Sequence, residues 1–572
     1  MLLLLGAAAH SSPRAEKLIS EYIDAWRSFY PSQAFGYGDV ASAASFEDFS
    51  SERVSNWLAL NAAYAPQAST LMSDKASRAF ATDLAVLLAQ TKDELAKWRE
   101  DKPLAQQPQW YAEQVSQALT HLLVREQLTD KARSAAAIGR LQGVTRLCRA
   151  ALMALKGGNA IRTARAVRTL AATRAFYDDG LRALVADWPV APGDQSFSDG
   201  IDTAVQAIAA LEAHLVDRIL PTAPNAAAIG VDIYAAKLAR RTSGLYTPEK
   251  LLLAAGNEMR EARMLMHEEA ARWRDSQAAV GENAATNTVA APSYVDDGQL
   301  LAAAIEAMEH DRQDNSADFL ESFTELTFAA EEFVREGGLA TVPEPTTLFV
   351  ALSPAYFSGA AVGGVYPSGP FAPQADTLFY IPSISDDATA KAKEGFYRSF
   401  NTHFNTMILS HEMFPGHYLQ YKVAVTQAPM LRSLFANGAY VEGWGSFVEE
   451  LMLNAGWADN APLTRLAHLR KRLENATRAY VSVQVNTAAW GEEQVLSFAR
   501  DEGLLAPQFA TNLWQRVVNS PLQITDYLTG YLEFRRLYAG YRAMPENLGT
   551  RPWVDAVLQA GPLPMALLES EL

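Results

Sequence analysis

Apolar residues recur at helical spacing over most of the chain. Residues 13–274 are rich in alanine, and Leu, Glu, Arg and Gln recur with the period of an α-helix, most clearly over 129–155 and 161–186. The same pattern returns over 299–336 and again over 388–572. These periods predict a mostly α-helical protein.

Three segments depart from the helical pattern. The short runs TTLFVAL at 346–352 and TLFYI at 377–381 are rich in β-branched and aromatic residues and predict strands. A Gly-, Pro- and Ser-rich stretch at 358–373 separates them. The polar segment 275–298 contains Gly, Asn and Pro and predicts a loop. A small β element is therefore expected within the helical protein.

Composition restricts the partners and the metal chemistry. The 572 residues include 49 Lys and Arg against 65 Asp and Glu, a net charge of −16, which argues against nucleic acid or an anionic membrane surface as the main partner. No stretch approaches about 18 uninterrupted apolar residues, so we expect no integral membrane association. The single cysteine, Cys148, excludes a disulfide framework and a Cys-ligated metal site. A transition-metal site must therefore use His and carboxylate ligands.

The first nine residues form an apolar run that ends in small residues. This pattern is typical of the second half of a secretory signal, although no basic segment precedes it. If residues 1–12 are a signal remnant, the protein is periplasmic or secreted. The alternative is an apolar N-terminus without that role, in a cytoplasmic protein.

The string SHEMFPGH at 410–417 contains a candidate metal site. Zinc peptidases hold the metal with two His from one helix face and use the Glu beside the first His to activate water. Here His411, Glu412 and His417 have that order, but six residues separate the two His, which would point about 120° apart on a regular helix. Pro415 and Gly416 predict a bulge that returns His417 to the face of His411. The alternative is that they end the helix and leave His417 on the surface.

A third ligand follows on a second predicted helix. Glu442 opens the segment EGWGSFVEE, 25 residues after His417. A carboxylate there completes three protein ligands and leaves a fourth position for water, which predicts one Zn²⁺ bound by His411, His417 and Glu442. Glu449 lies two turns later on the same face, where it can accept the other ring N–H of a ligating His. Trp444 beside them argues against an exposed helix.

The remaining histidines are isolated in the sequence. His267 is expected on a solvated helix face, and the others are expected to pack within helices: His121, His214, His310, His403 and His468.

Two segments resemble a known family. HEMFPGHYLQ at 411–420 and EGWGSFVEEL at 442–451 are similar to the signature segments of the bacterial "domain of unknown function 885" family, with weaker matches at 31–36 and 521–530. This resemblance spans most of the chain and implies a zinc metallopeptidase. The spacing also resembles the thimet-oligopeptidase-like gluzincins, which implies a large helical body around a deep channel, a small β element beside a gluzincin-type active-site helix, and peptide substrates.

The resemblance also implies a domain organisation, and this chain departs from the family pattern at one segment. It implies a helical N-terminal part at 13–336 and a catalytic part with the metal site at 337–572, together one continuous family domain. Where the family has Asp-x-Gly-x-His, this chain has Ser482 to Asn486. Asn486 can donate a hydrogen bond near the metal in place of that His, but it cannot titrate.

A hydrolytic mechanism assigns roles to further residues. Glu412 acts as general base and then general acid. A phenol donates to the oxyanion, with Tyr527 as the first candidate and Tyr531 as the second; the alternative for each is packing within a helix. The strand at 377–381 is expected to pair with an extended peptide. The candidates for binding a substrate carboxylate are Arg478, Arg516 and Arg535.

Two other functions remain open from the sequence. One is a zinc hydrolase that acts on a non-peptide amide with the same ligands. The other is a non-catalytic helical binding protein that keeps a vestigial metal site, against which the intact Glu412 argues.

Overall fold

A computed structural model describes residues 12–124, 128–186, 188–189, 197–283, 296–354, 364–545 and 549–572. The predicted mostly α-helical class is confirmed, with one small sheet. Residues 1–11, which hold most of the predicted signal remnant, lie outside the described part of the chain. Within that part, no helix is long and apolar enough to cross a bilayer.

The chain forms two compact units. One contains residues 1–226 with two short later segments, 368–375 and 429–435. The other contains the rest of the chain. This grouping does not test the predicted division at 336/337 or the channel, and both stay predictions.

The first unit is built of helices around an aromatic core. Tyr30, Trp57 and Trp98 all donate to the buried carboxylate of Glu94, over 2.8, 2.7 and 3.0 Å. Three donors satisfy a carboxylate that would otherwise be costly to bury. The α-helices of this unit are α1 (Pro13–Phe29), α2 (Pro31–Gly36), α3 (Ser51–Met72), α4 (Ala81–Ala96), α5 (Pro103–Gln106), α6 (Pro108–Gln117), α7 (Thr120–Val124), α8 (Asp130–Ala154), α9 (Ala160–Ala175), α10 (Arg182–Val185), α11 (Phe197–His214) and α19 (Met430–Leu434).

The second unit contains the longest helices. They are α12 (Val231–Arg241), α13 (Pro248–Asn283), α14 (Asp297–His310), α15 (Ser316–Glu336), α16 (Ala390–Ser399), α17 (Thr402–Glu412), α18 (His417–Gln427), α20 (Gly438–Asn454), α21 (Pro462–Thr487), α22 (Glu492–Asp501), α23 (Pro507–Asn519), α24 (Asp526–Arg542), α25 (Thr550–Ala560) and α26 (Met565–Glu571).

The pair α13 and α21 forms the apolar core of this unit. Leu251, Ala255 and Met259 recur four residues apart on α13 and pack in one cluster with Leu466 and Leu473 of α21. This i, i+4 spacing is the helical period seen in the sequence. Helix α13 continues through 275–283, so the predicted loop at 275–298 is wrong over those residues, which include the helix-forming run Ser-Gln-Ala-Ala. Residues 284–295 of that loop lie outside the described chain.

Both predicted strands are present, and a third joins them. The sheet has the order β1 (Leu348–Leu352), β3 (Thr377–Ile381), β2 (Gly364–Tyr366), with β1 parallel and β2 antiparallel to β3. The Gly- and Pro-rich stretch supplies β2. Because β3 is central and is paired on both sides, the prediction that 377–381 adds a substrate strand is wrong.

Candidate metal centre

A break between two helices brings the two predicted histidine ligands together. Helix α17 ends at Glu412 and α18 begins at His417, so the predicted bulge within one helix is wrong. Pro415 has no N–H for a helical hydrogen bond, and a Cβ at Gly416 would overlap the carbonyl oxygen of His411. The chain therefore turns tightly and starts a new helix. His417 is nevertheless buried beside His411, with ring centroids 4.7 Å apart and an interplanar angle of 85°.

The turn between α17 and α18 is anchored from α20. The buried indole of Trp444 donates from Nε1 to the carbonyl oxygen of Pro415 over 2.9 Å. Met413 and Phe414 are fully buried within the turn. A hydrogen bond from the Leu419 N–H to the Met413 carbonyl, 3.2 Å long, fixes the start of α18. The direction of His417 is therefore set by packing as well as by the backbone.

Helix α20 supplies the third predicted ligand. Oε2 of Glu442 lies 3.8 Å from Nε2 of His411 and 3.7 Å from Nε2 of His417. One ligand atom from each of the three lies within 4.8 Å of the others, the only such group of three His, Cys, Asp or Glu side chains among the described residues. Ligands of a tetrahedral Zn²⁺ with bonds of about 2.0–2.2 Å lie roughly 3.3–3.5 Å apart. The two distances between the carboxylate and the imidazoles therefore suit such an ion after a contraction of a few tenths of an ångström.

Glu449 connects the site to a second buried histidine. Its Oε1 lies 2.8 Å from Nδ1 of His411, as expected, and its Oε2 lies 2.8 Å from Nδ1 of His468. A proton on Nδ1 of His411 leaves Nε2 free to bind a metal. His468 was expected only to pack. His468 is buried on α21, and its isolated position in the sequence gives no signal of this contact.

His417 also has a partner that the sequence analysis missed. Its Nδ1 lies 3.4 Å from Oε1 of Gln420, three residues later on α18. Gln420 is buried, at 1 % exposure. In the sequence, the only indication of this contact is that the two polar residues are three positions apart, a spacing that places them side by side on a helix. Both ligating imidazoles therefore have an oxygen acceptor on Nδ1 and present Nε2 to Glu442.

The three ligands share strong electrostatic coupling. Burial alone would lower the pKa of His411, but the carboxylates of Glu442 and Glu449 outweigh it and raise that pKa to about 10. Burial would raise the pKa of Glu442, but its contacts with His411 and His417 hold the pKa far below its usual value. The metal-free site therefore keeps a proton on His411 at neutral pH, which a bound cation would replace.

Tyr527 of α24 lies beside this group. Its ring is nearly parallel to that of His411, with centroids 6.4 Å apart and an interplanar angle of 23°. Burial and the nearby Glu442 raise the pKa of Tyr527 to about 12, so its phenol remains a hydrogen-bond donor at neutral pH. The guanidinium carbons of Arg478 and Arg516 lie 5.2 and 5.9 Å from the centre of the same ring.

Glu412 is the last residue of α17, directly after the first ligand. Its side chain is half-buried. The carboxylate has no hydrogen-bonding partner among the described residues.

Three other predicted site residues make contacts elsewhere. The hydroxyl of Tyr531 donates to Oε2 of Glu450 over 2.5 Å. Arg535 lies over the Tyr531 ring, at 5.4 Å, and within 4 Å of three carboxylates. Asn486 donates to the carbonyl of Ser482 and accepts from the N–H of Ile229. These contacts hold Asn486 against backbone and place Tyr531 and Arg535 in a partly buried charge cluster of their own.

Comparison with solved structures shows the same fold in two bacterial proteins. A putative lipoprotein of unknown function from Shewanella oneidensis matches with a TM-score of 0.78 and 19 % identity, over 97 % of this chain and 99 % of that one. A putative lipoprotein from Colwellia psychrerythraea matches with a TM-score of 0.74 and 16 % identity, over 98 % of each chain. No curated protein matches this chain significantly. The family model described as "Bacterial protein of unknown function (DUF885)" matches residues 31–572, and the chain belongs to that family.

Proposed function

We propose that this protein is a zinc-dependent hydrolase of the gluzincin type that cleaves peptide bonds in short peptides. The observation that carries the proposal is the convergence of His411, His417 and Glu442 from three helices, with Glu412 beside the first of them. A metal that only stabilises a fold has four protein ligands, whereas three ligands next to a carboxylate suit catalysis.

Each nearby side chain has a role that follows from its position. Zn²⁺ at this site would polarise a carbonyl and lower the pKa of bound water to about 7. Glu412 accepts a proton from the attacking water and passes it to the leaving nitrogen. Tyr527, protonated at neutral pH, donates a hydrogen bond to the developing oxyanion. Glu449 and Gln420 hold the imidazole rings in orientation.

Two substitutions test the proposal. Glu412→Gln should retain zinc and lose hydrolysis, because its ligands are intact while the base is gone. His417→Ala should lose both, because one of three ligands is removed. His310→Ala is the matched control, since His310 is an exposed histidine on α14 whose one ion-pair partner among the described residues is Glu306.

The measurements are metal content by mass spectrometry and digestion of a mixed peptide library with mass-spectrometric analysis of the products. Zinc in the wild type with hydrolysis that depends on Glu412 supports the proposal. Hydrolysis of small amides but of no peptide favours the non-peptide hydrolase. Full activity in Glu412→Gln, or wild-type zinc content in His417→Ala, contradicts the proposed mechanism.

A further inference from the structure

The three arginines that the sequence offered as carboxylate-binding residues differ in what already surrounds them. The guanidinium of Arg535 lies 3.8 Å from Glu258, 3.3 Å from Glu261 and 3.7 Å from Glu450. It therefore has three protein carboxylates as partners and no need of another. Its role is to balance charge within its own cluster.

Arg516 has the opposite surroundings. Its described side-chain partners are neutral: Nη2 donates to the amide oxygen of Gln523 over 3.0 Å, and the guanidinium also interacts with Tyr527. Within the described chain no carboxylate lies within ion-pair distance of its guanidinium. The side chain is half-buried on α23, so water screens its charge only in part. A partly buried guanidinium normally has an anionic partner.

The neighbouring charges do not supply that partner. Arg478 is paired with Glu474 and donates to the side chain of Asn475. Glu474 is also bound by Lys471, at 3.1 Å. Arg478 and Arg516 both lie against the ring of Tyr527, and the nearby charge of Glu474 is shared with Arg478 and Lys471. Among the described residues Arg516 therefore has no carboxylate of its own within ion-pair distance.

The distances connect this charge to the metal ligands. Tyr527 has His411 at 6.4 Å on one side and Arg516 at 5.9 Å on another. The guanidinium therefore lies at most about 12 Å from the centre of the His411 ring, the length of roughly three to four extended residues. A substrate with a peptide carbonyl at the proposed metal and an anionic group on Arg516 would therefore need only a few residues between the two.

We propose that Arg516 binds the free C-terminal carboxylate of the substrate, so that the protein removes one to three residues from the C-terminus of peptides. The planar guanidinium can hold a carboxylate through two parallel N–H···O bonds, and Tyr527 supports its position through ring contact. This inference rests on the proposed hydrolase. It excludes N-terminal trimming and cleavage far from a chain end as the main activity.

The test measures binding as well as cleavage. Zinc-loaded Glu412→Gln protein, which should bind peptides without cleaving them, is incubated with a mixed pool of N-acetylated tripeptides, made once as free acids and once as C-terminal amides. The retained fraction is read by ultrafiltration and mass spectrometry. We expect the free acids to bind at least tenfold more tightly than the amides. Adding Arg516→Gln to the Glu412→Gln protein should reduce the binding of the free acids to that of the amides. Arg516→Lys should restore part of the preference, which a variant that failed to fold would not.

The control is Arg500→Gln, which removes the same charge from an exposed position on α22 and should keep the full preference. Equal binding of acids and amides by the parent protein, or an unchanged preference in folded Arg516→Gln, overturns the inference. If the wild type cleaves amidated peptides as fast as free acids, the inference about the C-terminal carboxylate is also overturned. The hydrolase proposal would then remain intact. Preferential binding of acids without hydrolysis by the wild type supports the carboxylate site and refutes the hydrolase.

Discussion

Gly445 lies against the ring of His411, and its replacement by alanine is a sharp test of how the proposed metal site is built. A Cβ at this position would lie 2.6 Å from Cε1 and Nε2 of His411 and 2.8 Å from Cδ2. Ordinary contact begins at 3.4 Å. The imidazole would therefore have to move by roughly 0.8 Å, in an interior too densely packed to absorb the shift freely.

The ring cannot move without losing its other contact. Its Nδ1 is bonded to Oε1 of Glu449 at 2.8 Å, and Glu449 is itself tied to His468. Metal sites tolerate errors of about 0.2 Å in ligand distance. We therefore expect Gly445→Ala to weaken zinc binding by about 10- to 100-fold or more, the range seen when the partners of metal ligands are lost. Overpacking should also lower the free energy of unfolding by about 1–3 kcal/mol, partly offset by the helix preference of alanine.

The assay is a zinc dissociation constant by competition with a chromogenic chelator, with urea unfolding of the metal-free protein measured separately. Gly540→Ala is the matched control, because Gly540 is also a helical glycine but a Cβ there meets nothing within 4 Å. That variant should keep its zinc affinity and gain up to about 1 kcal/mol of stability. A wild-type zinc affinity in Gly445→Ala would refute the argument that this contact positions His411.

Two further predictions concern protonation and the turn. The pKa of His411 is raised from 6.5 to about 10 in the metal-free protein, so below pH 10 zinc must displace a proton from this imidazole. The affinity of the protein for zinc should therefore fall about tenfold per pH unit from pH 9 to pH 7. A zinc affinity that does not change over this range would contradict the prediction. By the same linkage, the charge on His411 stabilises the metal-free protein fully below pH 6.5 and less as pH rises toward 10. Trp444→Phe removes the donor to the Pro415 carbonyl and should cost about 1–3 kcal/mol in urea unfolding as well as zinc affinity; unchanged stability would show that the turn is held without it.

The sequence predicted the features that local patterns determine. Helical periodicity gave the fold class, and the residue order of His411, Glu412 and His417 identified the candidate ligands before any geometry was known. The way in which His417 reaches His411 was predicted wrongly, because Pro-Gly is compatible with both a bulge and a helix break. Only the packing of the turn beneath α20 separates the two.

Tertiary contacts explain the remaining differences. His468 reaches Glu449 because α20 and α21 pack together, and a single isolated histidine carries no local signal of that contact. Arg516 and Arg535 look alike in the sequence. Arg535, however, has three carboxylate partners, whereas Arg516 has none within ion-pair distance among the described residues. Charge balance at a side chain depends on residues far away in the chain, so periodicity and motifs cannot predict it.

Residues 442–445, which open the segment EGWGSFVEEL on α20, each contact a different neighbour. Successive side chains on a helix point about 100° apart, so four of them cover its whole circumference. Glu442 points toward the histidine ligands, and Trp444 donates to the turn between α17 and α18. Gly445 leaves room for an imidazole.

Gly443 completes the set by leaving room for another helix. A Cβ there would overlap the backbone of Gly530 on α24, and a Cβ on Gly530 would overlap the carbonyl oxygen of Ala439. The two glycines therefore let α20 and α24 approach more closely than larger residues allow. Tyr527 lies one turn before Gly530, so this approach is what brings a phenol from α24 to the ring of His411. Because these sides of α20 pack against other groups, most of the helix is buried, as its many apolar and small residues predict.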